Sequence, residues 1–394
     1  MQPLRVLHVT PYFTDAWAYG GIPRLAHSLA RGLSRRGHDV TVCTTDAHDG
    51  SSRLRTPPRA RNGDGVDVRT FANASNRLAY HWQLFLPLGL DAWLREHASS
   101  FDVAHLHACR NLPGALAARH LRRAGVPYVL APNGTAPRIE RRRLAKLAFD
   151  IVAGRRVLAG AARVLAVSDA ECAQLRALGV DADSIRTIPN PVDLDEFAAL
   201  VERGAFRRGA GLHAGPLVMY LGKLTPRKRL DLVARAFAAL RRDEAQLVIA
   251  GNDMGSEAAT RSLIRELGVE PRTLFTGLLR GRARLEALAD ADVVVYPSED
   301  EIFGLVPLEA LLAGTPVVVA DGSGCGEIIR LVGGEVVPSG NAGALAAAIE
   351  RVLEDPARAR ASAAAAAGRV RAAYGDEAVC ARVEAMYGEM VGRA

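Results

Sequence analysis

The sequence predicts an α/β fold built twice, as two parallel-sheet domains joined by a linker. Three observations carry this. Short apolar runs rich in β-branched residues, such as 4–10 and 292–296, alternate with stretches of helical period, as strands buried on both faces do. A second set of such alternations begins near Pro216, after a stretch with glycines and scattered arginines at 195–215. And 394 residues, at a prior of about 150 per domain, accommodate two domains comfortably.

In the first half, 4–10 reads as a buried strand and 23–36 as a helix, with Leu25, Leu29 and Leu33 four apart and Gly37 at its C-cap. Tyr19-Gly20-Gly21 forms a glycine turn feeding that helix. It lacks the full Gly-x-Gly-x-x-Gly fingerprint, which disfavours dinucleotide binding. Residues 39–44 make the second strand, and 46–69, rich in Gly, Ser, Arg and Pro, an exposed loop ahead of another short strand. The strand 101–107 delivers His107 to its carboxyl end, and 127–131 ends in Pro132-Asn133-Gly134-Thr135. Segment 138–156 carries Arg138, Arg141, Arg142, Arg143, Lys146, Arg155 and Arg156 against Glu140 and Asp150, with Leu144, Leu147, Ile151 and Leu158 at helical spacing. That predicts a basic amphipathic helix, either docked on anionic lipid or packed on its own domain with a solvated basic face. A strand at 163–167 follows, then Ser168-Asp169-Ala170-Glu171 as a capping box opening another helix.

In the second half, strand 216–221 runs into Gly222-Lys223-Leu224-Thr225-Pro226-Arg227-Lys228-Arg229, and strand 246–251 ends in a glycine turn. Residues 274–279 and 292–296 supply further apolar runs. The densest chemistry lies at 297–310, where carboxylates, a glycine and two prolines sit between a strand and a helix that stops at Gly314. Ligands of open α/β sheets bind at such strand-to-helix loops. Gly304 lets backbone approach a ligand, the amides after it open a helix N-terminus suited to an anion, and Glu301 and Glu309 bracket it with seven residues between. A ligand with both hydroxyls and phosphates fits this set. Strands at 316–320 and 335–338 and helices at 341–353, the Ala-rich 357–373 and 377–391 complete the chain.

Composition narrows the function. Hydrophobic residues at 49% against 24% charged allow sizeable cores. An excess of 50 Lys+Arg over 43 Asp+Glu gives +7, a bias toward anionic partners. Nucleic acid is disfavoured, because no recognisable module is present and aromatics, at 5%, are too few for stacking platforms. Cys43, Cys109, Cys172, Cys325 and Cys380 are scattered and never in a CxxC pair, so neither a disulfide frame nor a zinc site is expected. Asp193 and Asp195 have the Asp-x-Asp spacing of a metal motif but lie at the linker and read as structural. No uncharged apolar run approaches the ~20 residues of a membrane span, and the N-terminus enters a strand without a signal-peptide core. The expected location is cytoplasmic, and the basic segment allows a peripheral place on the inner face of the plasma membrane.

The spacing of Glu301, Phe303, Gly304 and Glu309, followed by Gly314-Thr315-Pro316-Val317-Val318-Val319 and Gly324-Cys325-Gly326-Glu327, closely resembles the donor-site signature of the retaining family 4 glycosyltransferases. The resemblance covers nearly the whole chain. It implies the GT-B fold, two Rossmann-like doubly wound parallel-sheet domains facing each other across a cleft: residues 1–194 on the acceptor side, linker 195–215, donor domain 216–375, and a final helix in 376–394 returning to the first domain. By the same resemblance Glu309 holds ribose hydroxyls, Glu301 and the backbone of Phe303, Gly304 and Leu305 hold the sugar, and Gly20 and Gly21 lie against the pyrophosphate. Lys223 and Lys228 neutralise the leaving diphosphate in place of a metal, and the segment ending at Leu279 contacts the base. His107 lies near the transferred sugar, which makes His107, Glu301 and Lys228 the implied catalytic set.

Three positions depart from the family pattern. Lys223 stands where most relatives have Arg, keeping the charge but losing the bidentate fork. Asn133, on the acceptor side, stands where many have His, and an amide can hydrogen-bond a sugar but cannot carry protons. Pro191 replaces the commoner glycine near the end of the first domain. The implied reaction is retaining transfer of a hexose-type sugar from a nucleotide diphosphate sugar to a hydroxyl acceptor, lipid-linked or soluble, in polysaccharide or glycolipid assembly, with no metal or other cofactor. A sugar-nucleotide epimerase or phosphorylase of the same fold, or a non-catalytic sugar-nucleotide-binding protein, are the alternatives; intact Glu301, Glu309, Lys223 and Lys228 argue against a decayed site.

Overall fold

The computed structural model describes residues 2–392 except 15, 17, 18, 51, 138–142 and 199–200, with the side chain of Arg143 also left out. The chain divides into two units, 1–191 with 376–394, and 192–375. In the first unit, strands β1 (Arg5–Val9), β2 (Asp39–Thr45), β3 (Arg59–Arg61), β4 (Asp67–Phe71), β5 (Val103–His107), β6 (Tyr128–Ala131), β7 (Arg163–Ala166) and β8 (Ile185–Thr187) form one sheet in the order β3-β4-β2-β1-β5-β6-β7-β8. Every pairing is parallel except β3 with β4. In the second, β9 (Leu217–Leu221), β10 (Gln246–Ala250), β11 (Thr273–Gly277), β12 (Val293–Tyr296), β13 (Val317–Ala320) and β14 (Glu335–Val337) form an all-parallel sheet ordered β11-β10-β9-β12-β13-β14.

The strand order fixes where each sheet can hold a ligand. Successive connections reverse direction between β1 and β5 in the first unit and between β9 and β12 in the second, and at such a switch point the loops on either side diverge and leave a crevice at the carboxyl ends. Lys223 and Lys228 follow β9, and Glu301 and Gly304 follow β12, so the two stretches that stand out in the sequence flank one switch point.

The apolar runs do what their composition requires. β9, β10, β12 and β13 are buried along their whole length, as strands covered by helices on both faces must be. The last helix, Asp376–Met390, packs on the helix Ile22–Arg35 of the first unit, so closely that any side chain at Gly32 would run into Cys380 Sγ. Arg31 pairs with Asp376 at 3.1 Å, and Glu384 takes both Arg36 and, at 3.3 Å, His38.

Two stretches differ from the sequence reading. The 195–215 segment is no open linker, since its helix Ala205–Gly209 packs on the helix Gly281–Asp290. The Asp290 carboxylate accepts from the Gly204 amide and, at 2.9 Å, from that of Arg207, while Asp292 takes Arg207 at 2.7 Å. Two of its arginines, Arg203 and Arg207, anchor the segment on the part-buried Asp292. Within 46–69, β3 makes an antiparallel edge on β4 through a turn at 62–65, which an Arg-Ala-Arg strand gives no apolar alternation to announce.

Candidate active site

The second unit's switch point assembles a single charged cluster. Lys228 ends the short turn Pro226–Lys228, and Tyr296 ends β12. The Lys228 ammonium donates to the Tyr296 hydroxyl and to Glu301 Oε2, and lies 4.5 Å from the centre of the Tyr296 ring. Tyr296 donates to the same Glu301 oxygen at 3.1 Å, and Ser298 reaches it at 3.4 Å. The loops carrying these groups are sewn together by the Glu299 amide on the Arg227 carbonyl, 2.8 Å, and by Arg229, which grips Asp231 and Glu299. Burial alone would raise the Glu301 carboxyl, but Lys228 and Arg227 beside it, with the hydrogen bonds from Lys228 and Tyr296, bring it down to about 2. Burial pulls Lys228 down and the charge of Glu301 offsets part of that, so both stay charged at neutral pH. The sequence reading gave Lys228 to phosphate and Glu301 to sugar as separate groups; the structure makes them one ion pair with Tyr296.

Gly304, at φ +80°, is the N-cap of the helix Leu305–Leu312 and contributes no side-chain cap to its first amides. A larger residue there would be strained in backbone and would strike Cys325 Sγ. Phe303 is buried, its ring 5.8 Å from that of Tyr374, and Leu305 is half-buried. Lys223 and Leu279 are half-buried in the loops after β9 and β11. Glu309, only 1% exposed, is paired through Oε2 with Arg284, whose other terminal nitrogen meets Glu196. Neither Arg284 nor Glu196 stood out in the sequence.

The first unit's switch point is furnished differently. His8 of β1 and His105 and His107 of β5 are fully buried side by side. His107 Nε2 lies 3.1 Å from His8 Nδ1, the His105 and His107 rings stack at 4.6 Å, and His105 Nδ1 meets the Tyr387 hydroxyl at 2.7 Å. Burial drives His107 down to about 3 and holds His8 and His105 well below the ordinary imidazole value, so all three are neutral. His107 does end β5, as the sequence leads one to expect, with its ring against His8 of the neighbouring strand. Gly20, at φ +100°, precedes Gly21, the N-cap of Ile22–Arg35. Asn133 holds a left-handed φ of +51° and is half-buried in the loop after β6. That loop is pinned by Glu171, which accepts from the Gly134 amide at 2.6 Å and the Val167 amide at 3.0 Å. Ser168 caps the Glu171 amide, but the Glu171 carboxylate does not close a capping box on Ser168 and serves the Val167 and Gly134 amides instead. Asp193 and Asp195 join in a local turn, the Asp195 amide donating to Asp193 at 3.0 Å. Among the described residues no group of three or more His, Cys, Asp or Glu is arranged to hold a metal ion.

Residues 19–196 match the family model described as Glycosyltransferase Family 4, and 205–369 that described as Glycosyl transferases group 1. A D-inositol 3-phosphate glycosyltransferase of Kineococcus radiotolerans is 31% identical over 89% of this chain and 86% of its own. This chain belongs to the family 4 glycosyltransferases. An uncharacterized glycosyltransferase of Methanocaldococcus jannaschii is 30% identical over 86% of this chain and 88% of its own. Among solved structures, a sucrose-phosphate synthase from Thermosynechococcus elongatus superposes with a TM-score of 0.77 at 21% identity, covering 99% of this chain and 100% of that one. Anabaena HepE, solved with UDP and glucose, gives 0.77 at 20% identity over 98% and 100%. The glycosyltransferase therefore has the GT-B fold, two parallel-sheet α/β domains.

The sequence of a family 4 glycosyltransferase shows its motif glycines and glutamates readily but not their partners. Tyr296 read only as a strand residue; its place directly before Pro297-Ser298 at a strand's carboxyl end was the one signal available. The basic segment begins, among described residues, with the helix Arg143–Phe149, then a π-helical turn Asp150–Gly154 and the helix Arg155–Ala159. Asp150 is drawn to Arg110 at 2.7 Å, and Arg110 also reaches the Thr135 carbonyl. The amphipathic reading placed Leu144, Leu147, Ile151 and Leu158 on one face, whereas Leu144 and Ile151 are exposed and Leu147 and Leu158 half-buried. Arg138, Arg141 and Arg142 lie outside the described residues.

Proposed function

We propose that this glycosyltransferase moves a hexose-type sugar from a nucleotide diphosphate sugar to a hydroxyl acceptor with retention at the anomeric carbon. The observation that carries it is the Lys228–Tyr296–Glu301 cluster beside the Gly304 helix N-terminus at the second unit's switch point. Cleaving the donor leaves negative charge on the diphosphate, and Lys228, Lys223 and the first amides of Leu305–Leu312 are preorganised to stabilise it without a metal ion. Glu301 accepts sugar hydroxyls while also accepting from Lys228 and Tyr296, and Glu309 takes the ribose. HepE, whose fold this chain shares, was solved with UDP-glucose, which supports a donor of this class.

The assignment of retention rests on what could serve as base. His107, lowered by burial to about 3, is a weak base turned inward, Asn133 cannot carry a proton, and Glu301 is held too acidic at about 2 to take one. The departing phosphate then takes the acceptor proton on the same face. Incubation with a panel of nucleotide sugars tests the reading: a true donor at 100 times its Kd adds about 2.7 kcal/mol to stability and raises the unfolding temperature. Proton NMR of product from an α-linked donor should show an α linkage, and a β product would sink the retaining mechanism.

The acceptor is proposed to be presented at an anionic membrane in polysaccharide or glycolipid assembly. Leu144, Ile151 and Val152 are 82%, 62% and 70% exposed, beside exposed Arg155 and Arg156, the combination an interfacial helix uses. No helix among the described residues is long and apolar enough to cross a membrane.

A further inference from the structure

Glu309 sits in the helix Leu305–Leu312 at 1% exposure, a depth at which a carboxylate needs a counter-charge. Arg284, from the helix Gly281–Asp290 and itself buried, supplies it, and its second terminal nitrogen is held by Glu196 of the short turn Asp195–Phe197. Three separate elements thus converge on one guanidinium. Because that group is planar and its donors are fixed relative to one another, anchoring one end on Glu196 sets the direction of the other, and so the position of the carboxylate it meets. A carboxylate offers about four acceptor sites, so a guanidinium on Oε2 leaves capacity for the two hydroxyls of a ribose diol.

We propose that Arg284, anchored by Glu196, is the positioning residue that fixes Glu309 as the acceptor for the ribose hydroxyls of a nucleoside diphosphate. This rests on the reading of the second unit as the donor site. Arg284 touches the protein carboxylate and not the reacting atoms, so its loss changes which nucleotides bind more than how the sugar is transferred.

The test compares affinities of the full-length protein for UDP and 2′,3′-dideoxy-UDP by calorimetry, with GDP and its dideoxy form in parallel. Wild type should prefer the ribose form about 10- to 100-fold, as hydrogen bonds to a charged group imply. Arg284→Met should collapse that preference to within about threefold while the dideoxy form binds nearly as before, a split that general loss of structure does not produce. Arg284→Lys should fall between. Glu196→Gln, at a position 27% exposed and so safer for folding, should lower the preference several-fold by freeing the far end of the guanidinium. If Arg284→Met does not fold, the Lys and Gln variants decide. Variants that keep the wild-type ratio would overturn the inference and leave the donor reading standing. A wild type that binds both forms alike would overturn the role of Glu309 and the inference together, and one that binds neither nucleotide would overturn the donor reading itself.

Discussion

The carboxyl ends of β1 and β5 and those of β9 and β12 are equivalent places in the two sheets, yet they hold opposite chemistry. At the first, three imidazoles are packed dry, neutral and against one another. At the second, an ammonium and a carboxylate are mostly buried as an ion pair, each offsetting the other's loss of water, and Tyr296 and Ser298 also hydrogen-bond the carboxylate. The difference teaches that burial does not decide protonation by itself; the partner does. It also divides the labour proposed for the enzyme, with the charge that develops on a leaving diphosphate met at the second switch point and the three imidazoles of the first uncharged near neutral pH.

The sharpest way to break the comparison is to remove the charge. Lys228→Ala should cost about 10² to 10³ in the rate of sugar transfer, as loss of one preorganised electrostatic group does, and Lys228→Arg far less. The Ala variant also strands Glu301, at a cost of about 3–5 kcal/mol for a buried charge without its partner. Lys228→Ala with Glu301→Gln should recover that stability but not the rate. Wild-type turnover in either would remove the lysine from the mechanism.

Acid separates the two places next. The imidazoles have folded-state values below their unfolded ones, so their stabilisation is whole above about pH 6.5 and is lost as pH falls toward 3, by about 1.4 kcal/mol per pH unit for each proton the unfolded chain gains. Glu301, lowered to about 2, keeps its contribution down to about pH 4.5 and loses it below. Glu171, raised by burial to about 7, has the opposite sign and is most stabilising below about pH 4.5. All three tryptophans, Trp17, Trp82 and Trp93, belong to the first unit, so their fluorescence follows that unit alone. It should report unfolding at milder acid than hydrogen exchange in β9 and β12, and His107→Gln should flatten the dependence by one proton. Coincident transitions would deny the contrast.

How much of this contrast was readable beforehand follows from what each residue's role depends on. Glu301, Gly304 and Glu309 stood out because their spacing is local to one loop and helix, and the alternation of strands and helices gave both sheets. The pairing of Lys228 with Glu301 was hidden, since it depends on β9 and β12 being neighbours, 75 residues apart at Leu217 and Asp292, which only the sheet order reveals. His8 carried no signal, being one polar residue in an apolar strand, so the partner of the His107 ring was not legible. Arg284 and Glu196 were invisible for a further reason. One sat in a helix of ordinary period and the other in a stretch that looked like linker, and buried salt bridges leave no periodic trace.

A third test asks whether the first unit's exposed apolar side chains have a use. Leu144→Ser with Ile151→Ser should lower sedimentation with anionic liposomes about tenfold, since burying one such side chain is worth about 1.5–3 kcal/mol and interfacial insertion recovers only part of it. Substitution at the second unit's Leu331, also exposed at 73%, should leave sedimentation unchanged. If wild type never sediments with such liposomes, a soluble acceptor takes the place of a membrane-presented one.

The smallest effect concerns Arg229, where two costs nearly cancel. Its φ of +52° puts a non-glycine residue in the left-handed region, at about 1–2 kcal/mol, and Gly would remove that penalty. The same change deletes the hydrogen bonds to Asp231, at 3.0 and 2.8 Å, and the contact with Glu299; these partners are 45% and 39% exposed, so the pair is worth at most about 1 kcal/mol. Net stability of Arg229→Gly should therefore shift by less than about 1 kcal/mol, with a small gain the favoured sign. What should move is the loop, because Arg229 is a side-chain tie from the Lys228 turn to the Glu299–Glu301 segment, leaving the Glu299 amide on the Arg227 carbonyl as a backbone tie. An unchanged melting temperature with a donor KM raised two- to threefold would show that the arginine is kept to hold the charged cluster in register; a loss of several kcal/mol would instead mean that its strained backbone is supported by contacts the clamp itself provides.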